Sequence, residues 1–346
     1  MKNRGHARTA AWLLVVLGCV VLIVGNVRGG EVRYKLTLPG VVSYELNLPT
    51  LVAHANGHFA EQGIDLDNFV LGSGGTLRTA MIAREFDFGL FAFVHVPLAR
   101  IVGSPWKVLI ALHDREIFNL LVRSEHRDRV RSVADLRGMR VGFSTPGAGS
   151  WYIGSVFLKS AGLDPQKDVQ YLSLGGDPGV IYTALRTGRV DAFSAWEPTT
   201  TRVLEEGIAY PITRIWEEAE HRRWLGANKA LALALVTRED VIARNPGLVR
   251  RMVEAHKKGL ETIRSRSTGE LADMVLRNPK TAELFTGLDR ALVIKMFDRI
   301  KPGFGTGCIS RSGFDVEMKL ALEYQLVRRA ITLEEFADTR FAGECP

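Results

Sequence analysis

The sequence predicts an α/β protein of two lobes, and three observations carry that expectation. Short apolar, strand-like runs alternate with helix-like stretches over most of the chain. Glycine-rich turns separate them closely, which is the signature of βαβ layering with largely parallel strands. The alternation begins afresh after the polar stretch 124–131, so two such units share 346 residues, room for two domains of ordinary size (~100–150 residues each). A hydrophobic fraction of 46% and a charged fraction of 24% suit a globular chain. No low-complexity tract or short repeat stands out, which argues against a solenoid or a disordered tail.

Before the first strand lies a different material. Lys2, Arg4 and Arg8 form a basic head, and residues 10–24 are an apolar run. This is the layout of a secretory signal, and the run is short for a membrane span of ~20 residues. Residues 1–30 are therefore expected to be a signal peptide, with an uncleaved anchor as the alternative. Gly18-Cys19 hints at a lipoprotein site, but the apolar run continues past the cysteine.

Alternating Val32, Tyr34, Leu36 and Leu38 predict the first strand. Pro49 suits the opening turn of a helix through Leu51, Val52 and Ala55. A strand at 69–71 stops at Gly72-Ser73-Gly74-Gly75; helix follows at 76–84, strand at 86–91, a short helix at 97–101 and a buried strand at 108–112. The second unit shows a helical turn at 134–138, a strand at 139–143, and a helix from Gly147-Ala148-Gly149-Ser150 to Gly162. It continues with a strand at 169–174, a helix at 178–187 and a strand at 190–195 capped by Trp196-Glu197-Pro198. From Pro246 the chain turns helical. Val249, Met252, Val253, Leu260 and Ile263 share one face, and Arg250, Arg251, Lys257 and Lys258 the other, a solvated face on the usual amphipathic logic. Two apolar runs, 117–122 and 230–236, would carry the chain between lobes and form a two-strand hinge if they run side by side. The expected division is 31–120 with 235–346 for lobe 1, and 121–234 for lobe 2.

Removing residues 1–30 takes four basic residues and no acid, leaving +3 of the net +7. Such a balance gives no electrostatic footprint for nucleic acid. Cys308 and Cys345 remain, either bonded in an oxidising compartment or two unrelated buried thiols.

Several segments, in order, resemble the substrate-binding proteins of nitrate, sulfonate and taurine importers, the NMT1/THI5-like family of ABC transporter periplasmic proteins. Val190-Asp191-Ala192 through Trp196-Glu197-Pro198, after Leu185-Arg186-Thr187-Gly188, looks like that family's VDA…WEP signature. Ala134 to Val141 (ADLRGMRV), Gly57-His58-Phe59 to Gly63-Ile64, Gly74-Gly75-Thr76 to Gly89, and Asn245-Pro246 to Val249 are similar to other family segments. The resemblance covers roughly residues 31–260. It implies a type II periplasmic binding fold, with two α/β lobes closing around one small molecule and docking on an ABC permease with its ATPase. It also implies a periplasmic, monomeric protein.

Chemistry narrows the candidates. Helix N-termini expose unpaired N–H groups and attract anions, and ligands of open α/β sheets bind at strand ends. Gly74, Gly75 and Thr76 in one unit and Gly149, Ser150 and Trp151 in the other hold that position. Trp196 and Glu197 follow the strand of the signature, Tyr44 and Glu45 lie after the first strand, and Phe93 and His95 after the strand ending at 91. Each has a bland reading as well: turn or cap for the glycines, Thr76 and Ser150, core packing for the aromatics, and a strand end for Glu197. His54 and His58 are four apart but lack a third ligand. With no zinc, P-loop, nucleophile-elbow or dinucleotide motif, no catalytic residue, metal or cofactor is expected. The predicted function is capture of a small organic anion or zwitterion: a sulfonate, taurine-like molecule, carboxylate or pyrimidine. A membrane-tethered solute sensor and a small-molecule enzyme on the same fold are the alternatives.

Overall fold

The structure, a computed structural model, describes residues 34–40 and 43–345. The predicted signal segment and Cys19 lie outside the described residues. Among the described residues ten strands form three sheets: β1 (Tyr34–Gly40), β2 (Ile64–Leu71), β3 (Phe88–Ala92), β4 (Trp106–His113), β5 (Asn119–Arg123), β6 (Arg140–Phe143), β7 (Gln170–Ser173), β8 (Ala192–Ala195), β9 (Ala209–Pro211) and β10 (Leu233–Arg238). β1 and β2 pair in parallel, while β10 lies between β3 and β4, antiparallel to both. The five-stranded sheet runs β7-β6-β8-β5-β9; β6 is parallel to both neighbours and β5 antiparallel to both of its own. β1 lies beside β3, close enough that a Cβ on Gly40 would come 3.5 Å from Leu90. Taken in space, β2-β1-β3-β10-β4 therefore repeats β7-β6-β8-β5-β9, and each arrangement has one reversed strand in fourth place.

That reversed strand explains the apolar runs seen in the sequence. β10 and nearly all of β5 are buried, because each is the inner strand of a sheet covered on both faces. Both ladder edges of each are taken, so β5 and β10 do not pair with one another. The residues leading into them do meet: the Ala230 N–H donates to the Asp114 carbonyl at 2.6 Å. The chain thus crosses between sheets twice at one place.

Two details depart from the sequence reading. The first helix starts at Tyr44, five residues before Pro49, because Ser43 caps it by accepting from the Leu46 N–H at 3.3 Å. Pro49 sits inside it, on the face met by the long helix Pro246–Ser265, where Gly259 brings the two backbones into contact. A Cβ on Gly259 would lie 2.3 Å from the Pro49 carbonyl oxygen. The expected apolar face of the long helix is buried, whereas Lys258 pairs with Glu61 and Arg251 reaches the Gln62 carbonyl. Cys308 and Cys345 form a disulfide across 37 residues, with Cα atoms 5.0 Å apart. Among the described residues no helix is long and apolar enough to cross a membrane.

Candidate functional site

The two crossings, the starts of two helices and the end of β8 converge on a cleft with two small cavities, each about 20 Å³, roughly the space of one water molecule. Ile117 lines both, and the adjacent residues Trp196 and Glu197 line one each.

The outer cavity is built from short polar side chains and close backbone. Ser73 caps the helix Gly74–Ile82 by accepting from the Thr76 N–H at 3.2 Å. Gly74 is required there, since a Cβ would lie 2.6 Å from His95 Nε2. Opposite, Gly149 opens the helix Gly149–Ser160 against Phe118, 2.6 Å from where a Cβ would stand. Ser150 Oγ accepts from the Ser144 N–H at 2.9 Å and lies 2.8 Å from Ser144 Oγ. Arg78 joins the two sides, donating to the Gly147 carbonyl at 2.7 Å and to His95 Nδ1 at 3.0 Å. Burial, then Arg78, holds His95 well below its usual range. Its imidazole is therefore neutral, and with Nδ1 accepting, the hydrogen sits on Nε2. Trp196 closes the wall, edge-on to Phe118 at 5.7 Å.

Carboxyl groups dominate the inner cavity. Glu45 accepts from the Ser43 hydroxyl and from the Glu197 N–H, both at 2.9 Å. Burial, with the nearby Glu197 adding to it, raises Glu45 to about 8. Glu197, only 1% exposed, accepts from the Thr201 N–H and hydroxyl at 2.9 Å and from Arg299 at 2.8 Å. Glu116, in the first crossing, is raised by burial and then by Glu317. Glu317 itself stands at about 7 through burial, with the Tyr152 hydroxyl donating to it at 2.7 Å. Tyr152 belongs to the helix Gly149–Ser160 and Glu317 to Arg311–Glu323, so the pair ties the five-stranded sheet's layer to the C-terminal helices beside the crossing.

Of the sequence candidates, Gly74, His95, Gly149, Ser150 and Trp196 line the outer cavity and Glu45 and Glu197 the inner one. Gly75 lies at the edge, where a Cβ would come 2.8 Å from Thr145 Oγ1 across the cleft. The others point elsewhere. Tyr44 stacks on Phe285 at 4.4 Å and donates to the Leu284 carbonyl. Phe93 packs on Phe336 at 4.8 Å, Thr76 is exposed, and Trp151 lines a separate groove with Lys159 and Tyr171. Sequence reasoning missed Ser43, Phe118, Ser144, Thr200 and Arg299, which reach the cavities from distant parts of the chain. Ser43 was detectable as a serine before an acidic first turn.

Two other features are structural. Asp191, of the VDA segment, accepts three hydrogen bonds from Arg140 and one contact from His126. Burial pushes Asp191 up, but these bonds prevail and hold it at about 2. Glu125, His126 and Asp191 lie within 4.8 Å of one another, yet Arg123 and Arg140 already neutralise the two acids. A surface groove of about 750 Å³ runs past Lys107, Arg311 and Arg340. Those cations already pair with Glu239, Glu344 and Asp338.

Comparison with known proteins bears on this geometry. A model of the family described as NMT1/THI5 like matches residues 47–266. A putative binding protein of Brucella abortus (strain 2308) is 24% identical over 204 residues, 59% of this chain and 59% of its own. The match therefore spans about three fifths of the length of such curated relatives. A solved structure from Bordetella bronchiseptica RB50 superposes with a TM-score of 0.79 at 20% identity, covering 90% of this chain and 96% of that one. The alkanesulfonate-binding protein SsuA from Xanthomonas axonopodis pv. citri, bound to MOPS, gives 0.67 at 16%, covering 87% and 96%. These likenesses show the periplasmic binding protein fold.

Proposed function

The chain belongs to the NMT1/THI5-like family, and from that premise we propose that it is the solute-binding component of an ABC importer. It captures a small organic anion or zwitterion between two lobes and delivers it to a membrane permease and its ATPase. The lobes are the layers around β1–β4 with β10, joined by the C-terminal helices, and around β5–β9. They hinge at the double crossing near Asp114 and Ala230.

The observation that carries this reading is the pairing of two chemically distinct cavities across one apolar wall. The outer end offers hydroxyls, a neutral imidazole and two helix starts, which suit a sulfonate or carboxylate. The inner end offers carboxyl groups, Ile117 lines both cavities, and Trp196 and Phe118 add apolar wall to the outer one. A bare inorganic oxyanion would leave that wall and the acids unused. A zwitterion such as a taurine-like molecule, or a heteroaromatic with donors on one edge, engages both ends. The disulfide fits an oxidising, periplasmic location. Capture and release need no covalent step, which separates this role from an enzyme on the same fold.

A thermal-shift screen of residues 31–346 against sulfonates, carboxylates, taurine-like zwitterions, pyrimidines and nitrate tests it. A ligand at a hundredfold excess over its Kd stabilises the folded state by about 2.7 kcal/mol, and Trp196→Ala should abolish the shift. A stabilising ligand that the variant still binds would move the site elsewhere. Conversion of a ligand to product would favour the enzyme.

A further inference from the structure

Resting on the reading of the cleft as a solute site, we infer that the inner cavity receives a positively charged, hydrogen-bond-donating group, an ammonium or amidinium, beside Glu45 and Glu116, and that binding is proton-linked. The arriving N–H groups donate to carboxylate oxygens, and the carboxyl proton leaves to solvent.

A census of charge around this cavity points there. Three acids line it, Glu45, Glu116 and Glu197, together with Arg115, Arg299 and His113. Arg299 is committed to Glu197, and it lies over the Trp216 ring at 4.9 Å. Arg115 turns to the Trp216 carbonyl at 3.1 Å and to Glu218 at 3.4 Å. His113 lies near the Arg115 and Ile300 carbonyls, but burial pushes it down to about 4, so it is neutral at physiological pH. Among the described residues no cation therefore pairs with the other two acids. Glu45 accepts from a hydroxyl and a backbone N–H. Glu116 accepts from the Ile117 N–H at 3.3 Å and lies near the buried Glu317, itself bonded to Tyr152.

A second observation stands apart from the acids. The hydroxyl of Thr200 lines the same cavity, is 1% exposed and has no hydrogen-bond partner among the described residues. A hydroxyl left alone in a protein interior is costly, and its oxygen can accept from an N–H that also faces a carboxylate. Buried acids without a cation stay neutral by holding their protons, because an isolated buried charge is far more expensive. A cationic group supplies the missing charge and lets them ionise. An anion at this end would meet three acids and two arginines already turned to other partners. The anionic part of a zwitterion consequently belongs at the serine end.

The test uses isothermal titration and thermal shift with pairs matched in shape but not in charge: taurine against 2-hydroxyethanesulfonate, and benzamidinium against benzamide. The member bearing the ammonium or amidinium should bind more tightly. With Glu45 at about 8, its affinity should rise about 50-fold from pH 6 to pH 8. Titrations at pH 7 in two buffers of different ionisation enthalpy should show about 0.9 proton released per site. Glu45→Gln should remove the release and the discrimination; Glu116→Gln is read instead if circular dichroism shows that the first variant does not fold. Equal or tighter binding of the uncharged or anionic member, lost in Trp196→Ala, would overturn the cation assignment and leave the solute site standing. Binding of a cation with no proton release and no pH dependence would overturn the linkage. No shift with any probe, on folded protein, would count against both readings.

Discussion

Replacing Arg299 by methionine probes the ion pair at the heart of the cleft. Its guanidinium is the cation bound to Glu197, at 2.8 Å, and it contacts the Thr201 hydroxyl as well. Methionine keeps most of the stem's packing and removes the charge. Glu197 then stays at 1% exposure with only the two Thr201 donors. Breaking a buried pair costs about 3–5 kcal/mol, and the surviving donors place this one at the lower end, about 3 kcal/mol. Loss of the cation over the Trp216 ring, 4.9 Å away, adds roughly 0.5–1 kcal/mol. Urea unfolding should therefore show a loss of about 3–4 kcal/mol, or roughly 1 M in midpoint at an m-value of about 3 kcal/mol per molar. Glu197→Gln alone should cost less, because Arg299 is partly exposed and can turn to water. The double variant should recover about 1.5–2 kcal/mol relative to the sum of the two, as expected for contacting residues. A loss under about 1 kcal/mol, or effects that simply add, would refute the claim that this pair carries the site's charge balance.

Other expectations follow from the same contacts. Replacing Cys308 and Cys345 by serine should lower stability by about 3–4 kcal/mol, the entropy of closing a loop with a 37-residue separation, measured as a midpoint shift equal to that of the reduced protein. Gly259→Ala gains helix propensity of ~1 kcal/mol, yet a methyl 2.3 Å from the Pro49 carbonyl should outweigh it, with a net loss of about 1–2 kcal/mol. A gain on thermal melting would show that the two helices separate freely. Glu45 stands at about 8 when folded and near ~4.3 in an unfolded chain. Its contribution is complete below about pH 4.5 and is lost as pH rises through 8, a few kcal/mol in all. Glu45→Gln should flatten that decline, and an unchanged slope between pH 5 and 8 would remove Glu45 as its source.

The fold was legible where burial is repetitive. β3, β4, β6 and β8 fall on the expected runs to within about two residues, since strands buried on both faces show continuous apolar side chains. β2 is longer than expected at its start: Asp65, Asp67 and Asn68 interrupt the pattern, which an edge strand bonded only to β1 tolerates. β9 was missed because Ala209, Tyr210 and Pro211 are too few, and proline is allowed at that edge. Of the residues lining the two cavities, Gly74, Gly149, Ser150, Trp196 and Glu197 were legible because strand-end turns are local features. Arg299 and Phe118 were not, because only tertiary packing brings them to the cleft. Glu116 and Glu317 are the harder case. An acid in a sequence reads as exposed, and only the surrounding core shows that these two are held in the interior.

The reversed fourth strand has a consequence for synthesis. Every strand of the five-stranded sheet comes from one uninterrupted stretch, Asn119 to Pro211, and can assemble as soon as that stretch exists. The other arrangement begins with β1 at Tyr34 but keeps an unfilled slot between β3 and β4 until β10 is made. β3 and β4 must wait for a partner about 120–150 residues downstream, a closure that is slow for entropic reasons. The nascent amino-terminal half thus stays open while the middle of the chain is already ordered, and the last helices seal both.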